Sequence, residues 1–183
     1  MNLCGEKVIL RAVEPRDLEL LQRWKNDPEV EFFQGESWSP PVGKKAQELW
    51  FRSHGWDSRT MRWMIELRGR RPRTVGYCGF WSVDWKNRKA QTGLVIGNGS
   101  DRGRGVGVDV LRTLADYGFR ELGLNKLYAC IAAYNKRSLG LFVRKCGWRQ
   151  EGLFHQSFFR QGRFHDTVQV SILAREVARR NRE

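Results

Sequence analysis

The 183-residue chain is short of acid, of cysteine and of long apolar runs. No stretch approaches the roughly 20 apolar residues that a membrane helix needs. The opening MNLCGEKVILRAV has neither an apolar core segment nor a small-residue cleavage site, so a cytoplasmic protein is expected. Four cysteines, at 4, 78, 130 and 146, lie too far apart for a metal-type CxxC pair. They read as reduced thiols, mostly buried as small hydrophobes, and not as a disulfide framework. Repeats, low-complexity tracts and linkers are absent, so residues 1–183 read as one domain. Acid is scarce: 20 Asp and Glu face 33 Lys and Arg, for a net charge of +13. Such a field draws polyanions such as nucleic acid, the ribosome or phosphorylated ligands, and disfavours polycationic small molecules.

Apolar periodicity is plentiful. EKVILRAV alternates like a strand, and EPRDLELLQRWKNDPEV carries Leu18, Leu21 and Trp24 at helical spacing, with Asp27-Pro28 marking its end. A second helix is expected over 40–56. TMRWMIELR and TVGYCGFWSVD form a hairpin across GRRPR, and AQTGLVIG is the next strand. A helix over about 105–121 presents Leu111, Leu114, Ala115, Gly118 and Leu122 on one stripe and stops at Gly123. NKLYACIAAYN is a strand, KRSLGLFVRKCGW a short helix, and RQEGLFHQSFF with FHDTVQVSIL a closing pair of strands. The order predicts a mixed α/β fold with a largely antiparallel sheet.

Between AQTGLVIG and the long helix lies Arg102-Gly103-Arg104-Gly105-Val106-Gly107. Bare backbone and positive charge at a helix start suit a phosphate, because the first N–H groups and the helix dipole both face it. Walker A, GxxxxGK[ST], fits nowhere. The dinucleotide fingerprint GxGxxG fails because Val108 stands at its sixth position. The pattern [Q/R]xxGx[G/A] is satisfied. Alone, it equally describes a flexible turn before a structural helix.

Its surroundings resemble the GNAT acetyltransferase superfamily, in particular the RimJ/RimL-like branch, over nearly the whole chain. LRAVEPRDLELLQRWKNDPEV resembles that branch's opening strand and helix. DWKNRKAQTGLVIG resembles its turn and strand, DRGRGVGVDVLRTLADYGF its pyrophosphate loop and helix, YNKRSLGLFVRKCGW its N-x-x-S helix, and QEGLFHQSFFRQGRFHDTVQVSIL its end. The resemblance implies an acetyl-CoA-dependent N-acetyltransferase that uses no metal. It implies that Leu94, Val95 and Ile96 pair with the pantetheine arm, that residues 102–107 hold the pyrophosphate, and that Asn135 contacts the arm. It implies that the acetyl group sits where neighbouring strands splay apart.

The chemistry is attack of an amine on a thioester. Where many relatives place a proton-donating Tyr stands Phe142; Ser138, four residues earlier on the same helical face, is the donor that the branch pattern offers, or else a residue bonding local backbone. The glutamate of many relatives is Gln91 here, so a carboxylate base is not evident. Asp84, Glu66, His155 and His165 remain as candidates, each with a structural or solvated role as the alternative, and Asp166 is expected to be structural. A reference α-amine, with a pKa near 7.8, is neutral about one time in seven at pH 7; a lysine near 10.4 is neutral about once in 2,500. A site without a strong base therefore favours a weakly basic amine. The expected acceptor is a protein or peptide α-amine, such as a ribosomal or other protein N-terminus; the alternatives are a small-molecule amine such as a nucleotide-linked amino sugar or an antibiotic, and a non-catalytic CoA- or nucleic-acid-binding protein. Phe32, Phe33 and Trp81 are expected to wall the acceptor pocket, from a set that also includes Trp38, Trp50, Trp56, Trp63 and Trp85. Arg70, Arg71, Arg179 and Arg180 are candidate ribosome or RNA contacts, with a solvated face as the alternative. The assembly expected is a monomer or homodimer.

Overall fold

Alternating side chains sort the apolar residues of the strands onto two faces of one sheet. The computed structural model describes residues 2–34, 40–53 and 58–180, the side chains of 179 and 180 excepted. Its strands are β1 (Leu3–Cys4), β2 (Val8–Arg11), β3 (Met61–Leu67), β4 (Arg73–Asp84), β5 (Lys89–Ile96), β6 (Lys126–Ala132), β7 (Arg149–Arg160) and β8 (Arg163–Leu173). Its helices are α1 (Leu18–Lys25), α2 (Pro28–Phe32), α3 (Lys44–Ser53), α4 (Val106–Asp116), α5 (Lys136–Leu139) and α6 (Ala174–Arg180). α4 and α5 run on into π-helical turns, Tyr117–Glu121 and Gly140–Lys145.

The strand order is β1-β2-β3-β4-β5-β6-β8-β7. Every neighbouring pair is antiparallel except β5 and β6, which run parallel. That exception positions the site. β5 and β6 pair only from Lys89–Gln91 against Lys126–Tyr128, although β5 continues to Ile96 and β6 to Ala132. Beyond Gln91 and Tyr128 the strands part, and β6 keeps its full pairing with β8.

In β3, Trp63 and Ile65 enter the larger core with Phe80, Leu114 and Leu127 from β4, α4 and β6. Met64, between them, points to the other face and packs with Leu21 and Trp24 of α1. The expected stripe of α4 is buried at Leu111, Leu114, Ala115 and Gly118. A buried ion network sets the entry to α1. The Arg11 guanidinium donates to both oxygens of Asp17, at 2.7 and 2.8 Å, and to Glu66 and Thr74. Asp17 also accepts the Glu14 N–H at 2.9 Å.

The mixed α/β architecture agrees with the expectation from sequence, and four details differ. Strand β1 carries too short a pattern to read. Asp27-Pro28 ends α1 but also starts α2, because Asp27 accepts the Glu29 and Val30 N–H groups and proline suits a first helical turn. The second helix begins at Lys44 rather than at 40, and residues 54–57 of its expected end lie outside the described residues. The thiols are not mostly buried: Cys78 is, but Cys4 and Cys130 are exposed. Alternation along β6 turns Leu127, Ala129 and Ile131 to the core and Cys130 to the other face.

Candidate functional site: a cleft at the parting of two strands

The loop from β5 to α4 is fixed from outside and from within. A short 3-10 turn, Gly99–Asp101, is anchored by the Arg73 guanidinium, which donates to both oxygens of the buried Asp101 carboxylate. That contact, partly offset by burial, holds the Asp101 carboxyl below the usual carboxylate range. Gly103 and Gly105 both take φ of +81°, a backbone conformation that side chains strongly disfavour. Gly105 is the last residue before α4, and its carbonyl accepts the Asp109 N–H at 3.1 Å.

The three alternate glycines are glycine for different reasons. At Gly103 an added Cβ would meet open space. At Gly105 it would lie 2.9 Å from Lys7 Nζ, and at Gly107 it would lie 2.9 Å from Leu141 Cδ2 and close to Leu94. Gly107 thus lets α4 pack tightly against the π-helical extension of α5.

A cleft of about 900 Å³ opens where β5 and β6 part. It brings together Leu94, Val95, Ile96, Arg102, Gly103, Gly105, Gly107, Asn135, Ser138, Phe142, Phe33 and Trp81, all singled out in the sequence. Four others fall elsewhere. Val106 is buried in the core, the Arg104 side chain is exposed, and Phe32 stacks on Tyr134 with centroids 4.7 Å apart. Asp84 lies in the β4–β5 turn, where it accepts from the Asn87 N–H and side-chain amide; these bonds hold its carboxyl below the ordinary range.

The remaining base candidates are also tied up in structural contacts. Glu66 binds Arg11, and exposed His155 lies 3.5 Å from Asp166, which also accepts the Gln156 N–H. His165 stacks on Phe158. Trp63 is core, Trp50 lies under the Arg62 guanidinium, and Trp85 is exposed and donates to the Ser58 carbonyl. Trp38 and Trp56 lie outside the described residues. Of the basic cluster 68–73, Arg68 donates to the Gly5 carbonyl and Arg73 holds Asp101, leaving Arg70 and Arg71 on the exposed turn. Arg179 and Arg180 end α6, with side chains outside the described residues.

Arg102 lies in the loop at one end of the cleft, and Lys136, Arg137, Arg144 and Lys145 line it from α5 and its π-helical extension. The other end is walled by Phe33, Gln34, Tyr77, Trp81, Gln91 and Tyr134. Burial pushes the Tyr77 hydroxyl up to about 12, so it stays protonated. Tyr77 shares the outward face of β4 with Trp81, and period-two counting from Trp81 reaches it. Gln34 belongs to FFQGESWSP, an aromatic and turn-rich stretch that reads as a pocket wall; nothing in the sequence singles out Tyr134, which arrives through the fold.

A sequence model of the acetyltransferase (GNAT) domain matches residues 7–149. The chain belongs to the GNAT acetyltransferase family. An uncharacterized N-acetyltransferase, p20, of Bacillus licheniformis is 27% identical over 178 residues, 97% of this chain and 98% of that protein. A spermidine N(1)-acetyltransferase of Vibrio cholerae is 24% identical over 177 residues, 97% of this chain and 99% of its own length. A putative ribosomal N-acetyltransferase, YdaF, of Bacillus subtilis is 33% identical over 101 residues, 55% of this chain and 54% of that one. The crystal structure of spermidine N-acetyltransferase from Vibrio cholerae, in complex with CoA and spermine, superposes with a TM-score of 0.86 at 24% identity, covering 95% of this chain and 99% of that one.

As a GNAT enzyme, the protein moves an acetyl group from acetyl-CoA to an amine. The cleft fits that donor. Two glycines of positive φ ahead of an eleven-residue helix give an anion a concave set of N–H groups, and Arg102 lies beside them. Among the described residues no cluster of His, Cys, Asp or Glu has the makings of a metal site. No described helix is long and apolar enough to cross a membrane.

Proposed function

We propose that this GNAT enzyme acetylates the primary amine of a small molecule that carries little positive charge beyond that amine. Gly103, Gly105 and the first turn of α4, with Arg102, would hold the pyrophosphate of acetyl-CoA. The edge of β5 at Leu94, Val95 and Ile96 would pair with its pantetheine arm, beside Asn135. The donor supplies a thioester whose thiolate leaving group has a reference pKa of about 8.5. Ser138 would supply the proton to that group.

One observation carries the choice of acceptor. Among the described residues lining the cleft, Asp101 is the single carboxylate, and Arg73 already holds it. Among the described residues, aromatic and amide side chains wall the acceptor end. A polyamine is cationic along its length and needs carboxylates to replace its water. Gln91 and Gln34 offer amide groups instead, suited to hydroxyl or carbonyl groups of an acceptor. With Tyr77 held protonated, the amine must shed its proton to water, which favours an amine of low basicity.

A second reading is supported by the likeness to the putative ribosomal N-acetyltransferase. In it the acceptor is a peptide α-amine, and Arg70 and Arg71 contribute to docking on a polyanion. Both readings predict CoA release with weakly basic amines, and the product separates them. Thiol release from acetyl-CoA should be measured against amino sugars, aminoglycosides, spermidine and peptides with free N-termini, with mass spectrometry of the products. A simple amino sugar should give the highest kcat/KM, above the polycationic aminoglycosides and spermidine. A peptide acetylated at its first residue in preference to every small amine would move the assignment to the second reading, and spermidine as the best acceptor would refute both.

A further inference from the structure

We infer that Lys7 is a positioning residue for the phosphate loop, locked in place by Asp109. The inference rests on the reading of residues 102–107 as the site for the pyrophosphate of acetyl-CoA. Lys7 lies in the turn between β1 and β2, 97 residues before the carbonyl it reaches, and nothing in the sequence connects the two. Its ammonium donates to the Arg104 carbonyl oxygen at 3.0 Å.

The orientation of one peptide plane follows. No described peptide bond is cis. In a trans peptide the C=O and the following N–H point in opposite directions. With the Arg104 oxygen turned to Lys7, the Gly105 N–H is turned away from it. The next carbonyl is fixed as well, because Gly105 O accepts the Asp109 N–H at 3.1 Å. Both carbonyls flanking the nitrogen and α-carbon of Gly105 are therefore held, and the backbone keeps its φ of +81° between them.

Asp109 closes the device. Its buried carboxylate accepts the backbone N–H groups of Glu6, Lys7 and Val8 at 3.1, 2.7 and 3.0 Å. The turn sits directly on α4 because residue 5 is glycine; a Cβ there would lie 2.5 Å from Asp109 Oδ2. The same residue thus fixes the Lys7 backbone through its side chain and the Gly105 carbonyl through its N–H. The arrangement also gives residue 105 a second reason to be glycine, since its missing side chain would point at the Lys7 ammonium.

An anion-binding loop gains affinity from being held in shape before the anion arrives. Replacing Lys7 by Met should raise the dissociation constant of CoA, measured by calorimetry, about tenfold, the order expected for one hydrogen bond from a charged donor. The kcat at saturating acetyl-CoA and the KM for the amine should not move, and Lys7→Arg should recover most of the affinity. Amide hydrogen exchange over residues 102–107 should be faster in Lys7→Met with no ligand present. 3′-Dephospho-CoA should lose the same factor as CoA. Unchanged CoA affinity together with unchanged exchange would overturn the inference. A loss seen with CoA and not with 3′-dephospho-CoA would also overturn it, by making Lys7 a direct phosphate contact. If the wild-type protein fails to bind CoA, the reading of the loop fails; the exchange arm, read on the free protein, still decides whether Lys7 holds its shape.

Discussion

The two ends of the cleft are built by different means. The loop end takes its shape from local backbone, two glycines of positive φ, a helix start and a 3-10 turn within residues 99–107, and is braced from outside by Arg73 and Lys7. The acceptor end depends on α2 and the two residues after it, held by contacts across the fold. Arg102 pairs with Glu29, 73 residues away, and Arg160 donates to Glu31 Oε1 at 2.9 Å and to the Glu31 carbonyl, 129 residues away. The Tyr134 hydroxyl donates to the Phe32 carbonyl at 2.7 Å, and the Asn135 amide to the Phe33 carbonyl at 3.2 Å. A local backbone feature recurs in any protein that needs it, whereas a wall tied by long-range contacts can change with its partners. That difference suits a common donor and a variable acceptor.

The largest effect is expected from breaking the loop end. A β-branched residue at 105 is strained by the φ of +81° and meets Lys7 Nζ within 2.9 Å. A strain of about 1–3 kcal/mol corresponds to about 10- to 100-fold in affinity. Gly105→Val should therefore weaken CoA binding by about that factor in calorimetry while leaving the thermal midpoint within a few degrees of wild type. The effect comes from the backbone and Lys7, since the added side chain points at the ammonium. Equal affinity in the two proteins would remove residue 105 from the donor site.

A cut at the acceptor end should read out differently. Arg160→Ala removes both bonds to Glu31 and leaves that partly exposed carboxylate without its main partner. The KM for the amine should rise about tenfold, scaled from the roughly 1.5–3 kcal/mol of a charged hydrogen bond and reduced for the exposure of Glu31. CoA affinity should change by less than about twofold. Parallel losses in both would show that the two ends are one unit, against the contrast drawn from their construction.

The same contrast explains what was legible in the sequence. The succession of strands and helices along the chain, α4 and the loop were readable because period-two and helical patterns and glycine spacing are local signals. Leu94, Val95, Ile96, Arg102, Gly103 and Gly105 reach the cleft for that reason. Lys7 and Tyr134 are positioned by partners far away in sequence, and a linear pattern carries no such information. Phe32 was drawn in by its neighbour Phe33, yet successive residues of a helical turn face different ways, and its ring stacks on Tyr134. Asp84 looked free for proton transfer until the turn placed Asn87 on its carboxylate.

Acid should loosen the loop end and the entry to α1 through different carboxylates. Asp101 anchors the loop, and Arg73 holds its carboxyl below 3.8 against the opposing effect of burial. Asp17 anchors the entry to α1; burial pushes its carboxyl up, but the Arg11 guanidinium and the Glu14 N–H outweigh this and hold it below 3.8. A depressed folded value means stability that is fully present above the unfolded value and is lost as pH falls through the folded one. Thermal midpoints followed from about pH 6 downward should therefore stay flat to roughly pH 5 and then fall. Asp101→Asn and Asp17→Asn should each lower the midpoint at neutral pH and flatten that fall. An unchanged acid limb in both variants would assign the acid sensitivity to other groups.

The smallest effect is expected where the two ends meet, at Ser138. The start of α5 is capped by the Asn135 carboxamide, whose oxygen accepts the Ser138 N–H at 3.0 Å. The cap does not depend on the Ser138 hydroxyl, so Ser138→Ala should leave α5 and the thermal midpoint unchanged. Phe142 is 3% exposed and packs edge-on against Trp148, with centroids 4.8 Å apart, so its ring serves the core as well as the cleft wall. A positioned acid typically contributes about 10²- to 10⁴-fold, but a thiolate with a reference pKa of about 8.5 leaves with little help and water can deliver the proton. Ser138→Ala should thus lower kcat about two- to threefold with the acetyl-CoA KM unchanged, and the deficit should widen toward about pH 9, where the solution supplies fewer protons. Phe142→Tyr, with its hydroxyl directed into the cleft, should restore the lost rate in the Ser138→Ala background. Full turnover by Ser138→Ala from about pH 6 to 9 would show that no side chain at this position protonates the leaving group.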